Sequence, residues 1–316
     1  GSGGITGVAW EIGMLAGLAE RGVDLTTADL VIGTSAGAVV GAQVTSPAPL
    51  TALYEAQLGP PDATVAARMG LWVKLRFVWA LACCRDPARS RLRLGRLALA
   101  TPSVPEAQRR EVIEARLPSR DWPEQRLLIT AVGADSGEFA VFDAASGVSL
   151  ADAVAASCAV PGIWPPVLIN GRRWMDGGMR SVANADLAAD CDQIVVLAPI
   201  PQGFGTMPPV ARQCVELAHG GRAVAMVAPD QASVAAIGKN LLDPAQCAAA
   251  AAAGHAQAAA AADDLARLWS AGPPGATPAS APPVTASPAP IPPASTPTAS
   301  VPPASVPPAR VPPQSS

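Results

Sequence analysis

Residues 29–41, DLVIGTSAGAVVG, join two apolar runs through a pentapeptide of small residues: Gly33, Thr34, Ser35, Ala36 and Gly37. The first run predicts the end of a buried strand, and the second predicts a helix. A G-x-S-x-G sequence at a strand-to-helix junction is typical of a nucleophile elbow. The alternative is a turn of small residues that packs a helix against a sheet.

Ser35 is the candidate nucleophile of this turn. Because a serine in such an elbow has a strained backbone, the residues two positions before and after it must lack a Cβ atom. The turn points the serine Oγ out of the fold and toward the N-terminal end of the next helix. Positive potential at that end stabilises a developing oxyanion.

The composition of the whole chain fits one large domain or two small ones, with 316 residues of which 50% are hydrophobic. The net charge of −3 gives no global argument for nucleic-acid binding. No apolar run reaches the roughly 18 residues that span a bilayer, and no signal peptide is visible. Six cysteines without a C-x-x-C pair predict buried thiols in a reducing compartment, hence a cytoplasmic location. Residues 71–84 add a peripheral membrane location as the other expectation.

The composition changes at residue 272, after which Pro, Ala, Ser, Thr and Val predominate. Residues 272–316 have no apolar periodicity, so we expect a disordered tail rich in polyproline II. A Val-Pro-Pro sequence recurs every five residues, at Val301, Val306 and Val311. The tail fits an inert extension, a spacer or a ligand for a Pro-binding module, and its partner is unknown.

The chain opens with the Gly-rich residues 1–7, GSGGITG, followed by apolar residues at helical spacing: Val8, Ile12, Leu15 and Leu18. A Gly-rich loop before a helix N-terminus is an anion site. A Rossmann nucleotide site would also need G-x-G-x-x-G after a strand, and it would leave the Ser35 pentapeptide unexplained. An oxyanion hole formed by the loop accounts for both stretches.

A serine nucleophile needs a base, and the chain has two histidines, His219 and His255. Both lie in segments that predict helix. Neither stands in the strand-to-loop position in which the histidine of an α/β-hydrolase follows its acid. A Ser-His-Asp triad is therefore the less favoured arrangement.

Asp176 is the better candidate base. It follows a strand-like run and precedes Gly177 and Gly178, which let the backbone turn tightly. A carboxylate held against the Ser35 Oγ can accept its proton if partial burial raises the carboxyl pKa. The alternative for Asp-Gly-Gly is a simple turn.

The rest of the chain alternates between predicted strands and helices, which indicates an α/β fold around a central sheet. Predicted strands lie at residues 126–132, 138–142, 167–169, 172–175 and 193–198, the third and fourth joined as a hairpin by Asn170-Gly171. Predicted helices lie at residues 50–57, from Ala63 onward, at 108–117, 153–158 and 243–268, the last broken at Gly254.

Residues 71–84, which begin with Leu71 and end with Cys84, are the most apolar stretch. Lys74 and Arg76 on an apolar, Trp-bearing helix indicate an interfacial or lid element that contacts lipid. A core helix whose two cations snorkel explains the same residues. The arginines that follow fit either anionic head groups or a solvated basic face: Arg85, Arg89, Arg91, Arg93 and Arg96.

The order of Gly-rich loop, Ser35 and Asp176 resembles the patatin-like phospholipase family. Residues 156–167, ASCAVPGIWPPV, and residues 227–246 resemble further parts of bacterial members. The resemblance implies a three-layer α/β/α acyl hydrolase domain over residues 1–271, with the tail at 272–316 outside it. It also implies a Ser35–Asp176 dyad and no metal or other cofactor. The oxyanion donors would be the N–H groups of Gly3 and Gly4, with Ala36 as a helper.

The implied reaction is hydrolysis of lipid or phospholipid acyl esters, of the phospholipase A or lysophospholipase type, through an acyl-Ser35 intermediate. Two other functions stay open. One is a small-molecule carboxylesterase or thioesterase with the same dyad. The other is a degenerate, non-catalytic member that binds lipid or protein.

The chain departs from the family pattern in its Gly-rich loop. Ser2 replaces the leading glycine, and Thr6 stands where a basic residue is common. The missing cation weakens the case for phosphate-bearing substrates and leaves neutral esters and lysophospholipids open. No apolar strand precedes Gly1, so we expect the loop to be poorly held at its N-terminal side.

Overall fold

A computed structural model describes residues 1–60, 71–82, 84–101 and 104–270. Its helices are α1 (Gly4–Ala19), α2 (Ala36–Val44), α3 (Leu50–Leu58), α4 (Leu71–Ala82), α5 (Pro87–Ala100), α6 (Glu106–Glu114), α7 (Leu150–Ser157), α8 (Val210–His219), α9 (Gln231–Ile237) and α10 (Cys247–Ser270). Its strands are β1 (Leu30–Gly33), β2 (Arg126–Gly133), β3 (Phe139–Phe142), β4 (Val167–Ile169), β5 (Arg172–Asp176), β6 (Gln193–Leu197) and β7 (Ala223–Val227). The expected tail at 272–316 and the helix from Ala63 lie outside the described residues.

The main sheet is mixed and has the strand order β1-β2-β5-β4, with β3 also paired to β2. β1 runs parallel to β2, whereas β3 and β5 are antiparallel to it. β6 and β7 form a second, parallel pair. The elbow strand β1 and the Asp176 strand β5 therefore lie on either side of β2, which brings their ends to one region.

The core is built around α1, which packs against α10. Residues Thr6 to Leu18 of α1 are all buried, so this helix is covered on every side. Close contact requires glycine: a Cβ atom at Gly13 would lie 2.0 Å from the Ala251 carbonyl oxygen, and one at Gly254 would lie 2.3 Å from the Trp10 carbonyl oxygen. The indole N–H of Trp10 donates to Gln257 Oε1 at 3.1 Å.

The predicted break of the last helix at Gly254 is wrong, because α10 runs without interruption from Cys247 to Ser270. Gly254 does not end a helix; its missing side chain lets α1 pack closely against α10. Strand β7 was not predicted from the sequence. The predicted β4–β5 hairpin is confirmed, since Asn170 and Gly171 have φ angles of 50° and 76°, as a two-residue turn of this kind requires.

The Gly-rich start is held by backbone hydrogen bonds, contrary to the expectation that it would be loose. The N–H of Ser2 donates to the Val182 carbonyl at 2.8 Å, and the Gly1 carbonyl accepts from the N–H of Gly37 at 2.8 Å. The second bond ties the Gly-rich loop directly to the elbow.

Among the residues that the structure describes, no helix combines the length and the apolar character needed to cross a membrane.

Candidate active site

Ser35 occupies the sharp turn between β1 and α2. Its φ and ψ angles are 55° and −111°, a conformation that L-residues rarely adopt and that costs about 1–3 kcal/mol. A Cβ atom at Gly33 would lie 2.5 Å from Ala38 Cα, and one at Gly37 would lie 2.8 Å from the Gly1 nitrogen. The requirement for small residues on either side of the elbow is therefore steric, as the sequence predicts.

The C-terminal end of α7 braces the elbow. The N–H of Ser35 donates to Ser157 Oγ at 3.0 Å, and the Cys158 thiol donates to the Ser35 carbonyl at 3.3 Å. Both polar groups of the Ser35 backbone thus have buried partners, which hold the strained conformation. These roles of Ser157 and Cys158 were not predicted, although both residues lie in the ASC part of residues 156–167.

Asp176 ends β5 and is only 2% exposed. Its N–H donates to the Ala159 carbonyl at 3.0 Å, and its Oδ1 accepts from the N–H of Gly178 at 2.7 Å. A Cβ atom at Gly177 would lie 2.2 Å from Thr130 Oγ1, so only glycine lets the loop pass β2 here. The two glycines therefore allow the chain to turn directly after β5, so that the Asp176 carboxylate lies at the end of this strand, next to β2.

Burial raises the pKa of Asp176 to about 7. The Ser35 hydroxyl and the N–H of Gly178 act in the opposite direction and lower the pKa, because both stabilise the charged carboxylate. Desolvation is the larger effect. A carboxyl with this pKa is partly ionised at neutral pH and is strong enough as a base to accept a proton there.

The candidate oxyanion donors lie where the N-terminus of α1 faces the elbow. Gly4 has a φ of 64°, and a Cβ atom on it would lie 2.4 Å from the Leu241 carbonyl oxygen. Across the described part of the chain, the N–H groups of Gly3, Gly4 and Ala36 donate to no backbone or side-chain acceptor. Gly4 and Ala36 line the same pocket as Ser35, whereas Gly3 does not line it and packs against Pro199.

A family model described as patatin-like phospholipase matches residues 2–189, more than half of the chain. The chain belongs to the patatin-like phospholipase family. The fold is accordingly a three-layer α/β/α domain with a mixed sheet, and the family consists of lipid acyl hydrolases. No curated protein matches this chain.

In this patatin-like domain the Ser35 pocket has mostly apolar walls, of the kind that accept an acyl chain. They come from α1, α2, α6, the segment after α7 and the loop before α10: Val8, Val39, Val112, Val160, Trp164 and Leu242. Two arginines, Arg109 and Arg116, also line the pocket. No local pattern in the sequence points to them, because α6 lies more than 70 residues from Ser35.

Neither histidine of the patatin-like domain lines this pocket. His219 is exposed at the end of α8. His255 in α10 stacks on Tyr54 with ring centres 4.9 Å apart, and its Nε2 lies 3.0 Å from Glu20 Oε2. Within the described ranges, no three His, Cys, Asp or Glu side chains are placed to hold a metal ion.

A buried network around Asn184 joins the two halves of the candidate dyad. Asn184 Nδ2 donates to Thr34 Oγ1 at 3.0 Å and to the Gly177 carbonyl at 3.3 Å, and Thr34 Oγ1 lies 2.8 Å from Thr130 Oγ1. Thr34 precedes Ser35 and Gly177 follows Asp176, so the network fixes the elbow relative to the Asp-Gly-Gly loop. Asn184 was not among the residues predicted from the sequence.

Replacing Asn184 with alanine is expected to lower the free energy of unfolding by about 2–4 kcal/mol and to lower kcat. The change removes the amide that donates to Thr34 Oγ1 and to the Gly177 carbonyl, both of which are buried. It also places alanine at a φ of 49°. Urea unfolding measures the loss. The matched control is Asn170→Ala, at an exposed hairpin turn with a φ of 50°, where only the backbone cost of about 1 kcal/mol applies. Equal losses at the two sites would contradict a role for the network.

Proposed function

We propose that this chain is a serine acyl hydrolase of the phospholipase A or lysophospholipase type. In this proposal Ser35 is the nucleophile and Asp176 is its only base. One observation carries the proposal: a serine in a strained elbow lies in a pocket with apolar walls and lowers the pKa of a buried carboxyl, Asp176, which burial raises to about 7. Family membership supports the coarser statement that the substrates are lipid esters.

The proposed reaction begins with attack of Ser35 Oγ on the ester carbonyl carbon, while the hydroxyl proton passes to the Asp176 carboxylate. The carbonyl oxygen becomes an oxyanion and is stabilised by the free N–H groups of Gly4 and Ala36, which line the pocket. Collapse of the tetrahedral intermediate expels the alcohol, which takes the proton from Asp176. Water then attacks the acyl-Ser35 ester in the same way and releases the fatty acid.

A fluorophosphonate labelling experiment combined with two ester substrates tests this proposal. We expect a single adduct on Ser35 in the parent chain, none in Ser35→Ala, and turnover of both a nitrophenyl ester and phospholipid vesicles. Turnover of the nitrophenyl ester alone would favour the small-molecule esterase or thioesterase. Vesicle binding without turnover or labelling would favour the non-catalytic lipid binder. A label on another residue would overturn the assignment of Ser35.

Residues beyond the family match contribute to the same core, which supports one domain over residues 1–271. Ala251, Ala258 and Leu265 of α10 are buried in the main apolar cluster with Trp10 and Ile129. A chain cut after the matched residues would expose the face of α1 that α10 covers. The domain proposal therefore includes α8, α9 and α10.

We further propose that α4 contacts the membrane surface as a peripheral element. Leu75, Val78 and Trp79 lie at helical spacing on one face of α4, and each is more than half exposed. Phe77 and Ala80 pack inward against the α5 region. Exposed arginines follow in the sequence at Arg85 and Arg89, and their positive charge suits an anionic bilayer.

Changing Leu75 and Trp79 together to serine is expected to lower binding to anionic vesicles by about tenfold or more, since apolar side chains lose contact with lipid. Vesicle co-sedimentation measures the partition. Turnover of a soluble nitrophenyl ester should stay unchanged. The control is Val215→Ser/Val234→Ser, at two apolar residues of α8 and α9 with similar exposure. Equal vesicle binding by both double variants would contradict the α4 surface.

A further inference from the structure

Arg109 is a buried cation that has no anionic partner among the residues that the structure describes. It lies on α6, is 6% exposed, and its guanidinium carbon lies 4.0 Å from the centre of the Trp164 ring. Its Nε has no hydrogen-bond acceptor in the described structure. It lines the pocket that contains Ser35. A buried charge normally has a paired counter-charge, so a group that visits this pocket is the natural candidate to supply it.

Two of the three carboxylates of α6 have other partners, and the third, Glu111, is exposed to solvent. Glu114 pairs with Arg110 and Arg120, and Glu106 lies against Arg173 and the N–H of Leu168. Asp176 interacts with Ser35 and Gly178. None of these groups neutralises Arg109.

Two further polar groups of the described residues act on Arg109, the Cys158 thiol and the Arg116 guanidinium, and neither adds negative charge. Burial raises the pKa of the Cys158 thiol to about 12, so this side chain is neutral at physiological pH. Arg116, seven residues after Arg109, lines the same pocket and adds a second positive charge. The polar side of an otherwise apolar pocket is therefore cationic.

We propose that Arg109, assisted by Arg116, is the residue that binds the phosphate group of an acyl-lipid substrate and so makes this pocket prefer phosphate-bearing esters over neutral ones. This inference rests on the proposed function of the Ser35 site. The planar guanidinium fork matches phosphate oxygens in two parallel hydrogen bonds, and Trp164 fixes its plane. The cation that is absent at Thr6 is thus replaced from a different element, helix α6.

A binding experiment that needs no turnover tests the phosphate site. The experiment uses the Ser35→Ala variant and measures binding by titration calorimetry. The probes are decyl phosphate, decylphosphocholine, decanoate and inorganic phosphate, with each decyl compound kept below its critical micelle concentration. We expect both decyl phosphate esters to bind and Arg109→Met to weaken that binding by about 10- to 100-fold. Arg116→Met should weaken it less. Arg110→Met, on the outward side of α6, is the matched control and should bind as the parent does.

The binding outcomes separate the sources of the phosphate. Decanoate binding as tightly as decyl phosphate, or inorganic phosphate binding as tightly as its decyl ester, would overturn the assignment to a lipid phosphate. Unchanged affinity in Arg109→Met would overturn it as well.

A pair of substrates with the same acyl chain tests the inference in turnover. The pair is a lysophospholipid and the monoacylglycerol with the same acyl chain. We expect Arg109→Met to lower kcat/KM for the lysophospholipid by about 10- to 100-fold. The kcat/KM for the monoacylglycerol should change by less than about threefold. Equal losses on both substrates would show a structural role for Arg109 and overturn the inference. Absence of turnover in the parent would count against the proposed hydrolase, whereas the calorimetry would still decide the phosphate site.

Discussion

Replacing Ser35 with alanine is expected to lower kcat for ester hydrolysis by at least about 10⁴-fold, because no acyl-enzyme can form without the hydroxyl. Ser35→Gly should be equally inactive. The two variants should differ in stability. Alanine keeps the backbone cost of a φ of 55°, whereas glycine removes it, so Ser35→Gly should be about 1 kcal/mol more stable than Ser35→Ala. Single-turnover assays and urea unfolding measure the two effects.

The double variant His219→Ala/His255→Ala is the control for the loss at Ser35. Both histidines lie outside the pocket, so we expect kcat within about twofold of the parent. Loss of turnover in this variant, with Ser35→Ala still active, would contradict the serine–aspartate mechanism.

Replacing Asp176 with asparagine is expected to lower kcat by about 10³-fold or more, since the amide cannot accept the Ser35 proton. In the parent, kcat/KM should rise with pH and level off above about pH 7, because the carboxyl must be ionised and its pKa is about 7. A pH–rate profile measures this rise of kcat/KM with pH. A profile that is flat from pH 5 to pH 8 would contradict the role of Asp176 as the base.

The same variant is expected to be more stable than the parent at alkaline pH. The pKa of Asp176 is raised from 3.8 to about 7 in the folded state, so between these values the folded chain binds more protons than the unfolded one. The contribution of Asp176 to stability therefore falls as pH rises through this window. The asparagine side chain carries no charge at any pH, so Asp176→Asn should gain up to about 4 kcal/mol at pH 8 and almost nothing at pH 4.

Urea unfolding at the two pH values measures that gain. Asp24→Asn is the control, because the Asp24 carboxylate also accepts an N–H two residues later but is exposed to solvent. We expect no comparable gain at pH 8 in the control. If Asp176→Asn were less stable than the parent at pH 8, burial would not be the dominant influence on this carboxyl.

The elbow and the Asp-Gly-Gly loop could be predicted from the sequence because their requirements are local. Gly33 and Gly37 lie two residues from Ser35, and Gly177 and Gly178 follow Asp176 directly. A steric demand within five residues leaves a pattern that can be recognised without knowledge of the fold. The strand before the elbow was predicted from an apolar run and the strand before Asp176 from its place in a hairpin, both of which are local patterns as well.

The supporting residues could not be predicted, because their roles come from contacts between distant parts of the chain. Asn184 bonds to Thr34, 150 positions earlier, and Arg109 reaches the Ser35 pocket from α6. Gly254 was misjudged for the same reason. A glycine within a helix lowers local helix propensity, but here it permits the close approach of α1.

The pairing of α1 with α10 also has a consequence for how the protein is made. The indole of Trp10 meets Gln257, 247 positions later. At about 5–20 residues per second, a ribosome needs about 10–50 s to synthesise the segment between them. During that time α1, which is buried along most of its length in the folded domain, lacks its partner. The nascent chain therefore carries a water-exposed apolar helix until α10 has been synthesised, and chaperone protection is expected to matter during this interval.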